Sequence, residues 1–492
     1  MAGILAIDAG TTGVRALTID EGGRPVDWSY REFPQSFPRP GWVEHDPDAI
    51  WSAVVETVAE VAGRSGPISA VGITDQRETT VVWDRRSGRP LAPAIVWQDR
   101  RTAAACDALR AAGHLPLVRR LTGLVLDPYF SATKLAWLLT EGGVASGPDL
   151  AFGTVDSWLM WKLTGGGLHA TDPSNASRTL LYDIGRLQWS PELCDLFGVP
   201  MSCLPEVRPS SGAFGAVAAD AIPGLPGGTP ITGVAGDQQA ALFGQACVEP
   251  GMTKNTYCTG SFVLMNVGPE CPAPVEGLLT TVGWTLADGS TAYALEGAIF
   301  VTGAAIQWLR DGLGVIAEAA EIGPLAASVP DTEGVVLVPA FTGLGSPWWD
   351  PYARGTILGV TRGTGRAHLA RAVVEAMAYL TRDVVDAMTA ASGRPVTALR
   401  ADGGAAVMDL LLQLVADQLQ VPVARPVVQE TTALGAAYLA GLAAGVWSSP
   451  AEVNDQWALD RQFTPAVSPA AADRGHEQWQ RAVQRSRGWS AT

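Results

Sequence analysis

Residues 4–20 read ILAIDAGTTGVRALTID, and few folds have a use for such a stretch. An apolar run ends at Asp8, a small-residue turn follows (Gly10, Thr11, Thr12, Gly13), and a second apolar run ends at Asp20. That pattern predicts a strand, a tight turn and a returning strand. Gly- and Thr-rich turns after strands often hold phosphate, because their backbone N–H groups can converge on an anion. The familiar phosphate loops, however, lead into a helix with GxGxxG or GxxxxGK(S/T) spacing, and neither spacing is met here. The second half of the chain echoes the pattern in NTYCTGSFVLMNVG, residues 255–268. Two such hairpins in paired halves point to a nucleotide clamped between them.

The rest of the chain suits that picture. Strand-like runs (AVGITDQ, TTVVWD, GTPITGVAGD, TKNTYCTG, GVVLVPAF, ALRADGG) alternate with helical patterns at 46–63, 103–112, 367–391 and 405–419. Such alternation predicts an α/β architecture. The 492 residues exceed one ordinary domain, and Pro/Gly clusters near 221–230 and 268–277 mark loops. A division near residue 245 gives an N-terminal domain over 1–245, a C-terminal domain over 246–465 and a tail over 466–492. The net charge of −15 argues against a general nucleic-acid binder, which shows a basic surface. Six cysteines without a CxxC pair predict reduced thiols and a cytoplasmic location. No signal peptide is read at the N-terminus. The uncharged stretch 431–449 is rich in Ala and Gly, which predicts a tightly packed internal helix and no membrane insertion.

Eight segments carry a resemblance: FPQSFPRPGWVEHDP, GITDQRETTVVWDRRSGRPLAPAIVWQDRRT, GLVLDPYFSATKLAWLL, ATDPSNASRTLLYDI, AGDQQAALFGQ, ALEGAIFVTGAAIQWLRDGL, FTGLGSPWWDPYARGTILGVTRG and ETTALGAAYLAGLA. In this order they resemble the glycerol kinases of the FGGY carbohydrate kinase family, over roughly residues 3–465. The resemblance implies two duplicated ribonuclease H-like domains, the actin and sugar kinase ATPase fold, with a nucleotide cleft between them. It also implies glycerol and ATP as substrates, Mg2+ as cofactor, and a homo-oligomer, dimer or tetramer.

Site residues follow by the same resemblance. Arg77 and Glu78 adjoin after a strand. Alone they would read as a surface ion pair, but a small polyol needs one charge-assisted donor and one acceptor for its hydroxyls. Asp237 starts an Ala-rich helix and by position alone reads as an N-cap. The resemblance makes it the catalytic base, with Gln238 hydrogen-bonding the substrate. Trp97, Tyr129 and Phe262 would flank the polyol carbons. Thr11, Thr12, Gly13 and Arg15 would face the γ-phosphate, with Asp8 holding Mg2+ through water. Thr259 and Gly260 would lie on the β-phosphate side, and Gly303 and Gln307 near ribose and phosphates. Gly403, Gly404 and Met408 would border the adenosine.

Departures from those kinases are Cys258 where Gly is usual, Met408 where an adenine-contacting Asn is usual, and Ala9 where Gln is common. A side chain at 258 restricts the hairpin turn if φ there is positive. The loop AIPGLPGGTPI lacks the Arg of members inhibited by fructose bisphosphate and the His that phosphotransfer proteins modify. Two alternatives stand beside glycerol: an FGGY kinase for another polyol or ketose, and a nucleotide-binding sensor without turnover.

Overall fold

The computed structural model describes residues 3–490. Strands Gly3–Ala9 (β1), Gly13–Ile19 (β2), Pro25–Glu32 (β3), Ile68–Asp75 (β4) and Ile231–Gly236 (β5) form one sheet in the order β5-β4-β1-β2-β3. β2 is antiparallel to β1 and β3, whereas β4 runs parallel to β1 and β5 parallel to β4. A second sheet holds Thr253–Tyr257 (β6), Ser261–Gly268 (β7), Leu279–Thr285 (β8), Thr291–Ile299 (β9), Leu399–Asp402 (β10), Val423–Pro426 (β11) and Leu459–Phe463 (β12). Its order is β8-β9-β7-β6-β10-β11-β12. Without edge strands β8 and β12, the pattern is that of the first sheet: β7 is antiparallel to β6 and β9, while β10 and β11 continue parallel. The duplicated α/β architecture expected from the sequence is present, and both phosphate-type turns are hairpins between the first two strands of their sheets.

Local chemistry explains the flanking helices. Pro47–Ala62 (α1) is capped by the Asp46 side chain, which accepts from the Asp48 N–H, with Pro47 in the first turn. Its Ile50, Val54, Val58 and Val61 recur at helical spacing and pack with Leu5, Ile7 and Val14 of the first sheet. Ala103–Ala111, Arg366–Ser392 and Pro47–Ala62 answer three of the expected helices. The fourth is broken: Gly404–Val407 is a single 3-10 turn, Met408 is extended, and the α-helix runs only over Asp409–Leu419. Gly403 at φ +85° turns the chain out of β10 before a regular helix can start. The expected tail at 466–492 contains a helix, Pro469–Ser486. Ser468 caps it, and Trp479, Ala482 and Val483 bury one face. Trp479 and His476 both donate to Asp383 of the long helix, at 2.8 and 2.7 Å. Its sparse apolar spacing hid this helix in the sequence.

The two sheets meet through helices Asp237–Gly244 and Thr431–Ala443, each following the last parallel strand of its sheet pattern. Nearly every residue of 431–441 is buried, as its lack of charge predicted. Glycines allow backbone to touch backbone. A Cβ on Gly435 would fall on the Ala240 carbonyl, one on Gly244 on the Thr431 carbonyl, and one on Gly72 of β4 on the Ala436 carbonyl. No helix among the described residues is long and apolar enough to cross a membrane.

Gly435→Ala is expected to lower stability by at least about 2 kcal/mol, because the neighbouring backbone cannot yield. Gly404→Ala, whose Cβ would meet nothing within 4 Å, should leave the urea midpoint of unfolding unchanged. A midpoint insensitive to Gly435→Ala would remove this account of the junction.

Candidate active site

The first hairpin is held from outside its turn. Gly13 is required because a Cβ there would strike the Arg31 carbonyl on β3. Gln76 Nε2 donates to the Gly10 carbonyl at 3.0 Å. Thr12 is exposed, with its hydroxyl 3.3 Å from the Tyr30 hydroxyl. The Thr11 hydroxyl accepts from Trp97 Nε1 at 2.9 Å. Asp8 pairs in register with Arg15, but Arg15 gives its guanidinium to Glu430, just ahead of helix 431–443. Burial, aided by the charge of Asp237 and only partly offset by Arg15, pushes the Asp8 carboxyl up to about 7.

The second hairpin turns through Cys258, Thr259 and Gly260. The Cys258 N–H donates to the Gly260 carbonyl at 2.8 Å. Its φ lies outside the left-handed region and its side chain is exposed, so the turn accommodates a side chain where glycine is usual. Helix Gly303–Gln307 docks on this turn: Gly303 N–H donates to the Cys258 carbonyl and Ala304 N–H to the Thr259 carbonyl, at 3.1 and 3.0 Å. Gln307 at its far end is exposed. Gly403 packs on the Tyr257 backbone, while Gly404 is exposed with open space where its Cβ would be. Met408 is half-buried against Gly323.

Beyond the first hairpin lies a buried lattice of charge. Arg77 Nη1 and Nη2 donate to Glu296 at 2.6 and 3.2 Å, Nη1 also to Gln239 at 3.1 Å, and Nη2 to the Tyr129 hydroxyl at 3.2 Å. Glu78, held at φ +64°, accepts from Arg178 Nε at 2.7 Å. Arg178 Nη2 returns to Glu296 at 2.8 Å. These four side chains are at most 2% exposed. Burial opposes ionisation of Glu296, yet Arg178 and Arg77 overcome it and hold the carboxyl down at about 2. For Glu78 burial prevails and its pKa is raised. A non-glycine residue in the left-handed region costs conformational energy that the surrounding structure must impose.

Asp237 is the open end of this lattice, with 27% of its side chain exposed. Gly236, not Asp237, is the N-cap of its helix. Asp237 Oδ1 accepts from the Gln238 N–H at 2.8 Å and lies 3.2 Å from Arg77 Nε, which leaves Oδ2 for another partner. Burial raises its pKa against the pull of Arg77. Trp97 stands edge-on to Tyr129 and Phe262, with ring centres 5.7 and 6.5 Å apart, and Phe262 lies 5.7 Å from the Arg77 guanidinium. Gln238 Oε1 accepts from Lys254 Nζ at 2.6 Å.

Arg77, Glu78, Tyr129, Asp237, Trp97 and Phe262 are thus brought together, and Thr11 joins them through Trp97. Sequence reasoning passed over Arg178, Gln239, Lys254 and Glu296, although all four lie in segments it marked. The available signal was polarity in the wrong place: Glu296 interrupts the apolar strand AYALEGAI, and Lys254 is one of three lysines in the chain.

Residues 3–244 match the N-terminal domain of the FGGY family of carbohydrate kinases, and residues 253–444 match its C-terminal domain. The chain belongs to the FGGY family of carbohydrate kinases. Among curated FGGY relatives it is 54% identical over 499 residues to a glycerol kinase of Aromatoleum aromaticum, covering all of both chains. It is 53% identical to glycerol kinase 2 of Thermotoga maritima, covering 99% of each. A solved FGGY-type structure, Plasmodium falciparum glycerol kinase with ADP, superposes with a TM-score of 0.91 at 34% identity, covering 99% of this chain and 98% of that one. Gluconate kinase of Lactobacillus acidophilus, at 22% identity and TM-score 0.88, shares the fold.

In this FGGY chain Glu296→Gln would leave Arg77 and Arg178 facing one buried charge fewer. The expected loss is about 3 kcal/mol, as for other broken buried pairs. The folded-state pKa of Glu296 is depressed below its ordinary 4.5, so its stabilisation is complete above that pH and fades as pH falls toward 2. The gap in urea midpoint between wild type and variant should therefore be constant above 4.5 and narrow below it. A constant gap at all pH values would contradict the ionic account.

Proposed function

We propose that this chain transfers the γ-phosphoryl group of ATP to a terminal hydroxyl of glycerol, giving sn-glycerol 3-phosphate. Full-length identity of 53–54% to glycerol kinases supports the substrate. The observation that carries the chemistry is Asp237, a part-exposed carboxylate with a raised pKa and one committed oxygen, next to the Arg77 that Tyr129 and Phe262 also adjoin.

In this reading the glycerol carbons lie against Trp97, Tyr129 and Phe262. Arg77, whose Nη groups are committed to Glu296, Gln239 and Tyr129, faces a hydroxyl oxygen with the Nε–H that it shares with Asp237. Glu78, whose Oε1 is held by Arg178, offers Oε2 as acceptor; Gln238 adds a further hydrogen bond. Phosphoryl transfer needs chiefly positioning and charge neutralisation. Asp237 Oδ2 receives the proton of the attacking hydroxyl, and burial, by raising its pKa, makes it the better base. Thr11, Thr12 and Gly13 receive the γ-phosphate, joined by Arg15 once its guanidinium exchanges Glu430 for the phosphate, with Thr259 and Gly260 on the β-phosphate side. Gly303 and Gln307 lie near the ribose and phosphates, and Gly403, Gly404 and Met408 border the adenosine. Asp8 fits a magnesium ion: its carboxylate makes no direct ion pair among the described residues and carries a raised pKa. No cluster of three protein ligands is present among them, as suits an ion that keeps much of its water. Such an ion would neutralise charge on the phosphates.

The test is ADP release from MgATP with glycerol, dihydroxyacetone, erythritol, xylitol or ribulose, against a blank without acceptor. Glycerol-dependent release is expected, falling by at least about a hundredfold in Asp237→Asn. Release with a larger polyol alone would move the substrate. Release indifferent to every acceptor would overturn the kinase reading.

A further inference from the structure

Lys254 is a fully buried cation that the mechanism above leaves without a task. It projects from β6 of the second sheet, and its ammonium donates to Gln238 Oε1 at 2.6 Å and to Thr256 Oγ1 at 2.8 Å. Thr256 lies two residues along the same strand, on the same face, and pairs in register with Asp402 of β10. Gln238 comes from the first half of the chain, on the helix that begins with Asp237. Asp402 and Asp237 supply opposing negative charge to the ammonium, Arg77 a positive one and Glu296 a negative one; burial outweighs their sum and brings its pKa down to about 8.

An ammonium has three N–H donors and no acceptor, so it can bind the carboxamide of Gln238 only through oxygen. The orientation of a glutamine amide is read from such partners. With Oε1 committed to Lys254, Nε2 points the other way. We propose that Lys254 is a positioning residue: reaching from the second sheet, it fixes the Gln238 carboxamide so that its N–H groups are presented to a polyol hydroxyl beside Asp237. This rests on the polyol kinase reading. It adds that the direction of one donor in the acceptor pocket is set by the opposite half of the chain, and that a neutral residue at 254 frees the amide to turn over.

Two variants remove different atoms of the same device. Lys254→Met keeps the length of the side chain and removes the donor that orients the amide. Gln238→Glu keeps an oxygen partner for Lys254 and removes the N–H groups. Glycerol affinity by calorimetry, and KM for glycerol and for ATP, are measured for wild type, both single variants and the double variant. Each single variant should weaken glycerol binding about tenfold, the scale of one hydrogen bond, with KM for ATP nearly unchanged. The double variant should be no weaker than the weaker single one. Unchanged glycerol affinity in Lys254→Met, additive losses in the double variant, or equal losses toward glycerol and ATP would each overturn the proposal. If Lys254→Met does not fold, Gln238→Glu decides: wild-type glycerol affinity there overturns it, and the tenfold loss supports it. Wild-type protein that neither binds nor phosphorylates glycerol defeats the functional reading itself, a result distinct from all of these.

Discussion

Backbone meets backbone where helix 431–443 lies on helix 237–244 and on strands β4 and β5, and the rest of the site depends on that approach. Gly72, Gly233, Gly244 and Gly435 supply the clearance. Close approach brings the second sheet near enough for Glu296 to reach Arg77 and Arg178, and for Lys254 to reach Gln238, across 219, 118 and 16 residues of sequence. A side chain at any of these glycines would separate groups whose hydrogen bonds tolerate only tenths of an ångström.

Charge is treated in two ways around the pocket. Arg77, Arg178, Glu78 and Glu296 pair with one another behind it, two bases against two acids. Asp8 and Asp237 stand apart with raised pKa values and incomplete pairing. Groups left in that condition in a cleft are those available to a ligand, a cation or a proton. The lattice and the two open acids are one design: the first keeps Arg77 in position, so that Asp237 meets it through one oxygen and keeps the other open.

Much of this was legible in the chain. Both hairpins, the alternation of strand and helix, the internal helix at 431–443 and the pocket residues Arg77, Glu78, Trp97, Tyr129 and Asp237 follow from local pattern or from motifs. What sequence could not convey is partnership at long range. Arg178 and Glu296 matter because they meet each other and the Arg77–Glu78 pair, and although Glu296 stands out in an apolar strand, nothing local names those partners. Asp237 looked like a cap because a first-turn aspartate commonly is one; the extended Gly236 took that position instead. The C-terminal helix escaped because a single buried Trp479 with a few small neighbours carries its apolar face, too few residues to make a period evident.

The cover over one face of the first sheet is made almost last. Ile4, Ala6, Leu17, Ile19 and Ala70 share a core with Ala433, Leu434, Ala436 and Leu439, which the ribosome delivers more than 350 residues after β4. During synthesis the early half therefore presents an open apolar sheet until the chain is nine-tenths made, the situation in which nascent proteins rely on chaperones. The boundary between the two family domains is accordingly a poor place to cut: the first, expressed alone, would carry an unfinished surface rather than a closed one.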